Sequence, residues 1–412
     1  MALDPKEFKA RRQAGEAQRR EKQAQRRKML IKLAVAAAVL LLCAVGILFF
    51  ARPGSAPSGT TQTNPAETSD TTVIHYAAVG DLNINDSVVA SGGALYDYTS
   101  AFMDVAHLLA DADITSLNFE GNLIGAPYGS VSAPQTMMQA LASAGVDLVQ
   151  LANSYSIHKG MAGLSTTIEN VKAAGMEPLG VYATNQDFKS GKGYTIRYVQ
   201  GIKIAFVAFT KGMDGLALPA GNEHCVNVLY KDYASTYQTV DEEGITTVLK
   251  AAAKEKPDIT IALLHWGSEF NDTISRSQKT ICDLMLANGV DAIIGTHPHY
   301  VQEMAFDREA GTFVAYSLGD FFGDAQRAGS EYSVILDLEI TKDNKTGKTS
   351  ITNYSYTPIF TVAEEEKPLR VVRIEEAMAA YEAGYIHRVS KDTYEDMAYA
   401  LKRIASRVAG KG

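Results

Sequence analysis

Between Pro53 and His158 the chain contains no lysine or arginine, although ten Asp and Glu residues fall in that stretch. A second gap precedes it: Leu33–Ala51, "LAVAAAVLLLCAVGILFFA", runs for 19 residues without a charge. Cysteine is scarce, at three residues in 412, and no internal repeat is visible, so the chain is not a repeat array. Residues 1–52 hold 12 Lys and Arg against 4 Asp and Glu, which leaves 27 against 43 for the remainder, a net of −16. A body so acidic argues against nucleic acid as partner, since phosphates need clustered cations. A bound cation would be at home in the stretch 53–158, although a solvated acidic face is the commoner cause of such a bias.

The first 28 residues are basic and polar, and they lead into an apolar segment, residues 29–51. About 20 apolar residues span a bilayer. The run is too long for the core of a cleavable signal peptide and its basic flank too large, which points to an uncleaved single-pass transmembrane helix rather than a buried core helix. The positive-inside bias places the N-terminus in the cytoplasm and the body outside the cell membrane. Residues 52–72 are rich in Ser, Thr, Pro, Gly and Ala, with no apolar period, and read as a flexible tether. Cys43 falls in the apolar run; Cys225 and Cys282 read as free buried thiols, with pairing left open, so disulfides do not decide the compartment.

From Val73 onward, strand and helix patterns alternate, which predicts an α/β domain over 73–365 with its sheet covered by helices. Ala101–Ala110, Gln135–Ala144, Leu164–Ala174, Thr246–Ala253 and Ser277–Ala287 read as helices. Tyr194–Val199 and Ile204–Phe209 read as a strand pair across "QGIK", and Ser333–Ile340 with Ser350–Tyr356 as a late hairpin. In the tail, 366–412, Met397, Leu401, Ile404 and Val408 recur at helical spacing, as expected for a helix packing back on the domain or, secondarily, meeting a partner helix.

Five apolar strands run into a residue able to ligate metal: Asp81, Glu120, Asn153, His265, and the pair His297 and His299 in "GTHPHYVQ". In open α/β sheets ligands gather outside the carboxyl ends of the strands, so residues far apart in sequence can meet there. Carboxylate, amide oxygen and imidazole together suit one or two divalent ions such as manganese, zinc or iron. Taken singly, each residue has a plainer reading: a hydrogen-bonded structural histidine, a turn Asp or Asn, a surface glutamate. It is the coincidence of five strand ends that argues for a centre.

At these same residues the chain resembles the CapA family of poly-γ-glutamate capsule synthesis proteins, which carry a metallophosphatase-like domain. The matching stretches, in the family's order, are "AVGDLNIN", "NFEGNL", "LANSYSIHKG", "IAFVAFT", "LLHWGSEF", "IIGTHPHYVQ" and "VAYSLGDFF". The resemblance implies a four-layer α/β/β/α sandwich related to calcineurin-like phosphoesterases. It also implies metal positions at Asp81, Glu120 (at a bridging place), Asn153, His265, His297 and His299.

Where the family reads "LANNHxxDxG", this chain has Ser154 for an asparagine, Tyr155 for the histidine and His158 for the aspartate. Asp320 stands for the asparagine of "SLGNF", and Asn83 stands where true phosphoesterases often have a metal-binding histidine. In related phosphoesterases the missing histidine stabilises or protonates the transferring group. Tyr155, with an ordinary pKa of about 10, is a poor acid-base group at neutral pH, and His158 is the other imidazole that could supply this role.

Two functions are then expected. One is an accessory protein for making, exporting or anchoring an anionic surface polymer such as poly-γ-glutamate, alongside a membrane synthase or exporter. The other is a membrane-tethered, metal-dependent hydrolase of phosphoesters or of the polymer. A polyanion meeting a body of net −16 requires bridging metal ions or a local basic patch. The topology has a direct check: protease added to intact cells should remove the body from Val73 onward, and full protection of that body beside cleaved surface controls would overturn it.

Overall fold

The computed structural model describes residues 70–410, apart from 326, 366, 386 and 387. The expected anchor at 29–51, the basic segment 1–28 and most of the tether lie outside the described residues. Among the described residues no helix is long and apolar enough to cross a membrane.

The strands are β1 (Thr71–Asn83), β2 (Ile114–Glu120), β3 (Leu148–Gln150), β4 (Glu177–Leu179), β5 (Tyr194–Val199), β6 (Ile202–Thr210) and β7 (Ile259–His265), followed by β8 (Ala292–Thr296), β9 (Met304–Asp307), β10 (Thr312–Ala315), β11 (Asp320–Phe322), β12 (Tyr332–Asp343), β13 (Thr349–Val362) and β14 (Arg370–Arg373). They form two mixed sheets. The larger runs β14-β13-β12-β1-β2-β3-β4, with β11 also paired to β1; the smaller runs β5-β6-β7-β8-β10-β9. Neighbours β1 to β4 are parallel, as are β6, β7, β8 and β10.

Side-chain alternation builds the layers, because successive residues of a strand face opposite sides of its sheet. Ile74 and Tyr76 of β1 meet Ile204 and Phe206 of β6 in a core between the sheets, with the Tyr76 and Phe206 rings 5.7 Å apart. The other face of the larger sheet, through Leu117 and Val149, packs on Met137, Leu141, Leu164 and Ile168 of the helices Gln135–Ala144 and Gly160–Ala173. The intervening residues of β6, Val207 and Phe209, pack on Ile245, Leu249, Ile281 and Met285 of the helices Glu242–Lys254 and Arg276–Ala287. The order helix, sheet, sheet, helix is the expected four-layer sandwich.

Three local expectations are corrected. Ala101–Ala110 is not one helix but two short ones, Thr99–Phe102 and Ala106–Ala110. The break presents Asp104 to Arg370 and Arg388 at 3.2 and 2.8 Å, while Phe102, Val105 and Leu109 stay buried. The tether does not extend to residue 72, because Thr71 and Thr72 already pair with Asp343 and Lys342 of β12. The division at 365 cuts the larger sheet, since β14 is its edge strand against β13.

After β14 come two helices, Ile374–Glu382 and Lys391–Val408. The second buries Met397, Ala400, Ile404 and Val408 in the inter-sheet core, with Leu401 half-buried beside them. Ser390 caps its N-terminus by accepting from the Thr393 N–H. Removing the Ile404 side chain leaves a cavity in that core, and Ile404→Ala should cost about 2–5 kcal/mol. Urea denaturation measures it; an unchanged midpoint would mean that this helix is peripheral to the fold.

Candidate metal centre

Close backbone approach assembles the site. A side chain at Gly80 would place its Cβ 1.8 Å from the Gly319 carbonyl oxygen, so only glycine allows β1 and the segment before β11 to touch. The Asp81 N–H then donates to Gly319 O at 3.0 Å, and Asp320 falls opposite Asp81 in a parallel register. On the smaller sheet, Gly295 of β8 has the same role: a Cβ there would lie 2.0 Å from the Tyr316 carbonyl oxygen. Beyond β8 the backbone turns through two left-handed residues, His297 at φ +90° and His299 at +58°, on either side of Pro298. Non-glycine residues avoid this region, and such strain concentrates where the surrounding structure has a use for it. Here the His297 N–H donates to Asp81 Oδ2 at 3.0 Å and holds the turn against β1.

Five of the predicted ligands converge. Asp81, Glu120, His265, His297 and His299 are all buried. His299 Nδ1 lies 3.6 Å from Asp81 Oδ2, and His265 Nδ1 lies 3.5 Å from Glu120 Oε1. The His265 and His297 ring centroids are 4.5 Å apart. Two sets of donors, Asp81–Glu120–His299 and Glu269–His297–His299, each have ligand atoms within 4.8 Å of one another. They share His299, so in this arrangement the residue common to both is that imidazole rather than Glu120.

Asn153 stands one hydrogen bond further out. Its amide donates to Asn118 Oδ1 at 3.1 Å and Phe119 O at 2.7 Å, and its Oδ1 accepts from the Tyr155 N–H. Asn118 in turn donates to Asp81 Oδ1 at 2.6 Å and Glu120 Oε1 at 3.1 Å. Three members went unread in the sequence as parts of a centre. Glu269 follows His265 by four residues in "HWGSEF", Asn118 precedes Glu120 in "NFEG", and Asp320 accepts from His299 Nδ1 at 2.8 Å. Each lies inside a motif that was quoted, but none is itself distinguished by ending an apolar strand.

Burial dominates the electrostatics. It raises Asp81 to about 6, against the opposing pull of His299, with the neighbouring Asp320 charge adding to the rise. It lifts Glu120 well above the carboxylate range, helped by Asp81, and Asp320 rises for the same reason. Burial also pushes His265 and His297 well below the usual imidazole value, so both are neutral at pH 7. At His299 burial opposes the charge, but Asp320, Glu120 and Asp81 outweigh it and raise the imidazole.

The donors fit a divalent ion. Three carboxylates, each raised by burial, lie together beside neutral imidazoles, and His297 Nδ1 is buried with no hydrogen-bond partner among the described residues. Neutral imidazoles beside carboxylates are the donors that borderline divalent ions take.

The site opens into a cleft of about 350 Å³ bordered by Asn83, Glu120, Tyr155, Glu269, Phe270 and His299. Burial, then the charges of Glu120, Glu269 and Asp214, push the Tyr155 hydroxyl up to about 12, so it enters the cleft as a protonated donor. Ser154 meets His265 Nε2 through its N–H at 3.3 Å and its Oγ at 3.1 Å. His158 is exposed, 5.8 Å from Tyr155 between ring centroids, and does not border the cleft. Cys225 and Cys282 are free and buried.

Fold and site together define a class: a metallophosphatase-like α/β/β/α domain with a carboxylate–imidazole cluster at the carboxyl ends of its parallel strands. Within that class the chain belongs to the bacterial capsule synthesis protein PGA_cap family, whose model matches residues 75–325. It is 26% identical to the capsule biosynthesis protein CapA of Bacillus anthracis over 262 residues, 61% of this chain and 60% of that protein. It is 23% identical to the PGA biosynthesis protein CapA of Bacillus subtilis strain 168 over 305 residues, 72% of this chain and 75% of that one. The chain therefore matches about three fifths of the length of the Bacillus anthracis relative. Among solved structures, the calcineurin-like phosphoesterase YfkN of Bacillus subtilis is 15% identical at a TM-score of 0.44, covering 80% of this chain and 99% of that one. At that score the likeness carries no conclusion about activity.

The ligand assignment has a direct check. The double substitution His297→Ala/His299→Ala should abolish stoichiometric metal in the purified chain, read by elemental analysis beside a melting curve. Asn118→Ala, which removes the brace on both carboxylates, should weaken metal affinity roughly 10–100-fold. Unchanged metal in the folded double variant would exclude the assignment.

Proposed function

We propose that this chain is a membrane-anchored, outward-facing accessory protein in the synthesis, export or anchoring of an anionic surface polymer of the poly-γ-glutamate kind, and that it carries one or two divalent metal ions. Family membership over residues 75–325 supports the pathway. The relatives, named as capsule and PGA biosynthesis proteins, point the same way. The observation that carries the metal is the buried His297 Nδ1 without a partner among buried carboxylates. Asp81, Glu120, His265, His297, His299 and Glu269 would hold it, and the mixed oxygen and nitrogen set suits manganese, zinc or iron. When bound, such an ion supplies Lewis acidity and a bridge between the acidic protein and carboxylate or phosphoryl groups of the ligand.

The chain's own residues favour binding over turnover. Tyr155 occupies the cleft where the related enzymes have an imidazole, and with its hydroxyl held at about 12 it donates a hydrogen bond but does not shuttle protons near pH 7. His158, exposed and off the cleft, does not replace it. The second reading, a metal-dependent phosphoesterase or polymer hydrolase, is favoured by the near-complete donor set.

One variant separates the two. Tyr155→His with Ser154→Asn, in the manganese- or zinc-loaded full chain, restores an imidazole at the cleft. If the native protein is an accessory, it hydrolyses an activated phosphodiester slowly and the double substitution accelerates it by roughly 10²–10⁴-fold, at unchanged metal content. Brisk native turnover that the substitution slows would establish the hydrolase instead.

A further inference from the structure

The C-terminal helix Lys391–Val408 and residues 272–274 border a second cavity, of about 140 Å³, into which Lys279, Arg403 and Arg407 face together with Asp272, Glu303 and Ser406. Arg407 is the unusual member. Its side chain is only 8% exposed, and its guanidinium lies 4.6 Å from the Tyr300 ring centroid and 5.4 Å from that of Tyr332. Contacts of this kind engage the faces of the guanidinium and leave its in-plane N–H donors unspent. Nε and Nη1 are buried and have no hydrogen-bond partner among the described residues. Asp272 Oδ2 is 3.6 Å from Nε, too far for a hydrogen bond, and accepts instead from Arg403 Nη2 at 3.1 Å. Asp272 offsets the charge at that distance but leaves the two buried donors without a hydrogen bond, a costly state that a ligand acceptor would relieve.

We infer that this cavity is a carboxylate-binding subsite, in which Arg407, Arg403 and Lys279 receive one carboxyl group of an anionic chain. Planar guanidinium donors match the fork of a carboxylate. Three cations against two carboxylates leave the lining one positive charge, which suits a monoanionic carboxylate better than a phosphate dianion. The volume admits a carboxyl group on a short stem, not a folded partner. The subsite is joined to the metal centre by sequence, because Tyr300 beneath Arg407 directly follows His299. A repeating polycarboxylate could then be gripped here and at the metal centre at once; that the carboxyl group belongs to the surface polymer rests on the function proposed above.

The test titrates the purified full chain with a short γ-linked glutamate oligomer and, separately, with inorganic phosphate at the same ionic strength. Lys279→Gln/Arg403→Gln should weaken oligomer binding at least about tenfold, since each removed contact is a hydrogen bond from a charged group. Glu303→Gln, which removes a competing carboxylate without touching the donors, should tighten it about two- to fivefold. The same loss on Lys279→Gln/Arg403→Gln should appear in the His297→Ala/His299→Ala background, where the metal centre no longer contributes to binding. Oligomer binding that ignores the first two variants, or that vanishes with the histidine pair alone, places the carboxylate at the metal centre and overturns the subsite while the proposed function stands. Preference for phosphate over the oligomer also overturns it. Binding of the oligomer with the expected pattern supports the subsite even if the metal centre proves hydrolytic.

Discussion

The hydrogen bond from the His297 backbone to Asp81 joins the two sheets at the site, and much else depends on it. Asp81 comes from the central strand of the larger sheet, and His297 from the turn after β8 of the smaller one. The bond steadies a turn with two left-handed histidines, one on either side of Pro298, and so aims both imidazoles at the carboxylates. Glycines at 80 and 295 make it sterically accessible by letting backbone meet backbone on each side. Substituting either would shift a strand, and with it the distance over which Asp81 and His297 meet.

Around that bond the protein collects buried charge of one sign. Asp81, Glu120 and Asp320 are each pushed up by burial, and His299 alone among the three imidazoles is held above its ordinary value. Desolvated carboxylates at this density are expensive unless a cation shares the site. At the C-terminal helix the sign is reversed: Arg407 is sheltered by two tyrosine rings and pairs with Asp272 at 3.6 Å, while its Nε and Nη1 have no hydrogen-bond acceptor among the described residues.

The departures at 154 and 155 are local in sequence but not in effect. Ser154 contacts His265 Nε2 with both its backbone and its hydroxyl, while the Tyr155 N–H donates to the side-chain Oδ1 of Asn153. The loop therefore braces the donors from behind while presenting a phenol, not an imidazole, to the cleft.

Asp81, Glu120, His265, His297 and His299 were legible in the sequence because each lies at or beside the end of an apolar strand, and parallel strands deliver their carboxyl ends to one edge. The alternation of Ile204, Ala205, Phe206 and Val207 likewise carried the two-faced burial of β6, and hence the layering. What the sequence could not carry is which neighbours these residues meet. Asp320 becomes a partner of His299 only because the Gly80–Gly319 contact brings β11 to β1, and Asn118 displaces Asn153 from the carboxylates only through the register of β2 beside β3. The break at Met103 meets a contact more than 200 residues away in the chain, Arg370 with Asp104. Periodicity along a chain determines which side of an element is buried; the identity of the group opposite is decided by distances between elements, which only the folded core sets.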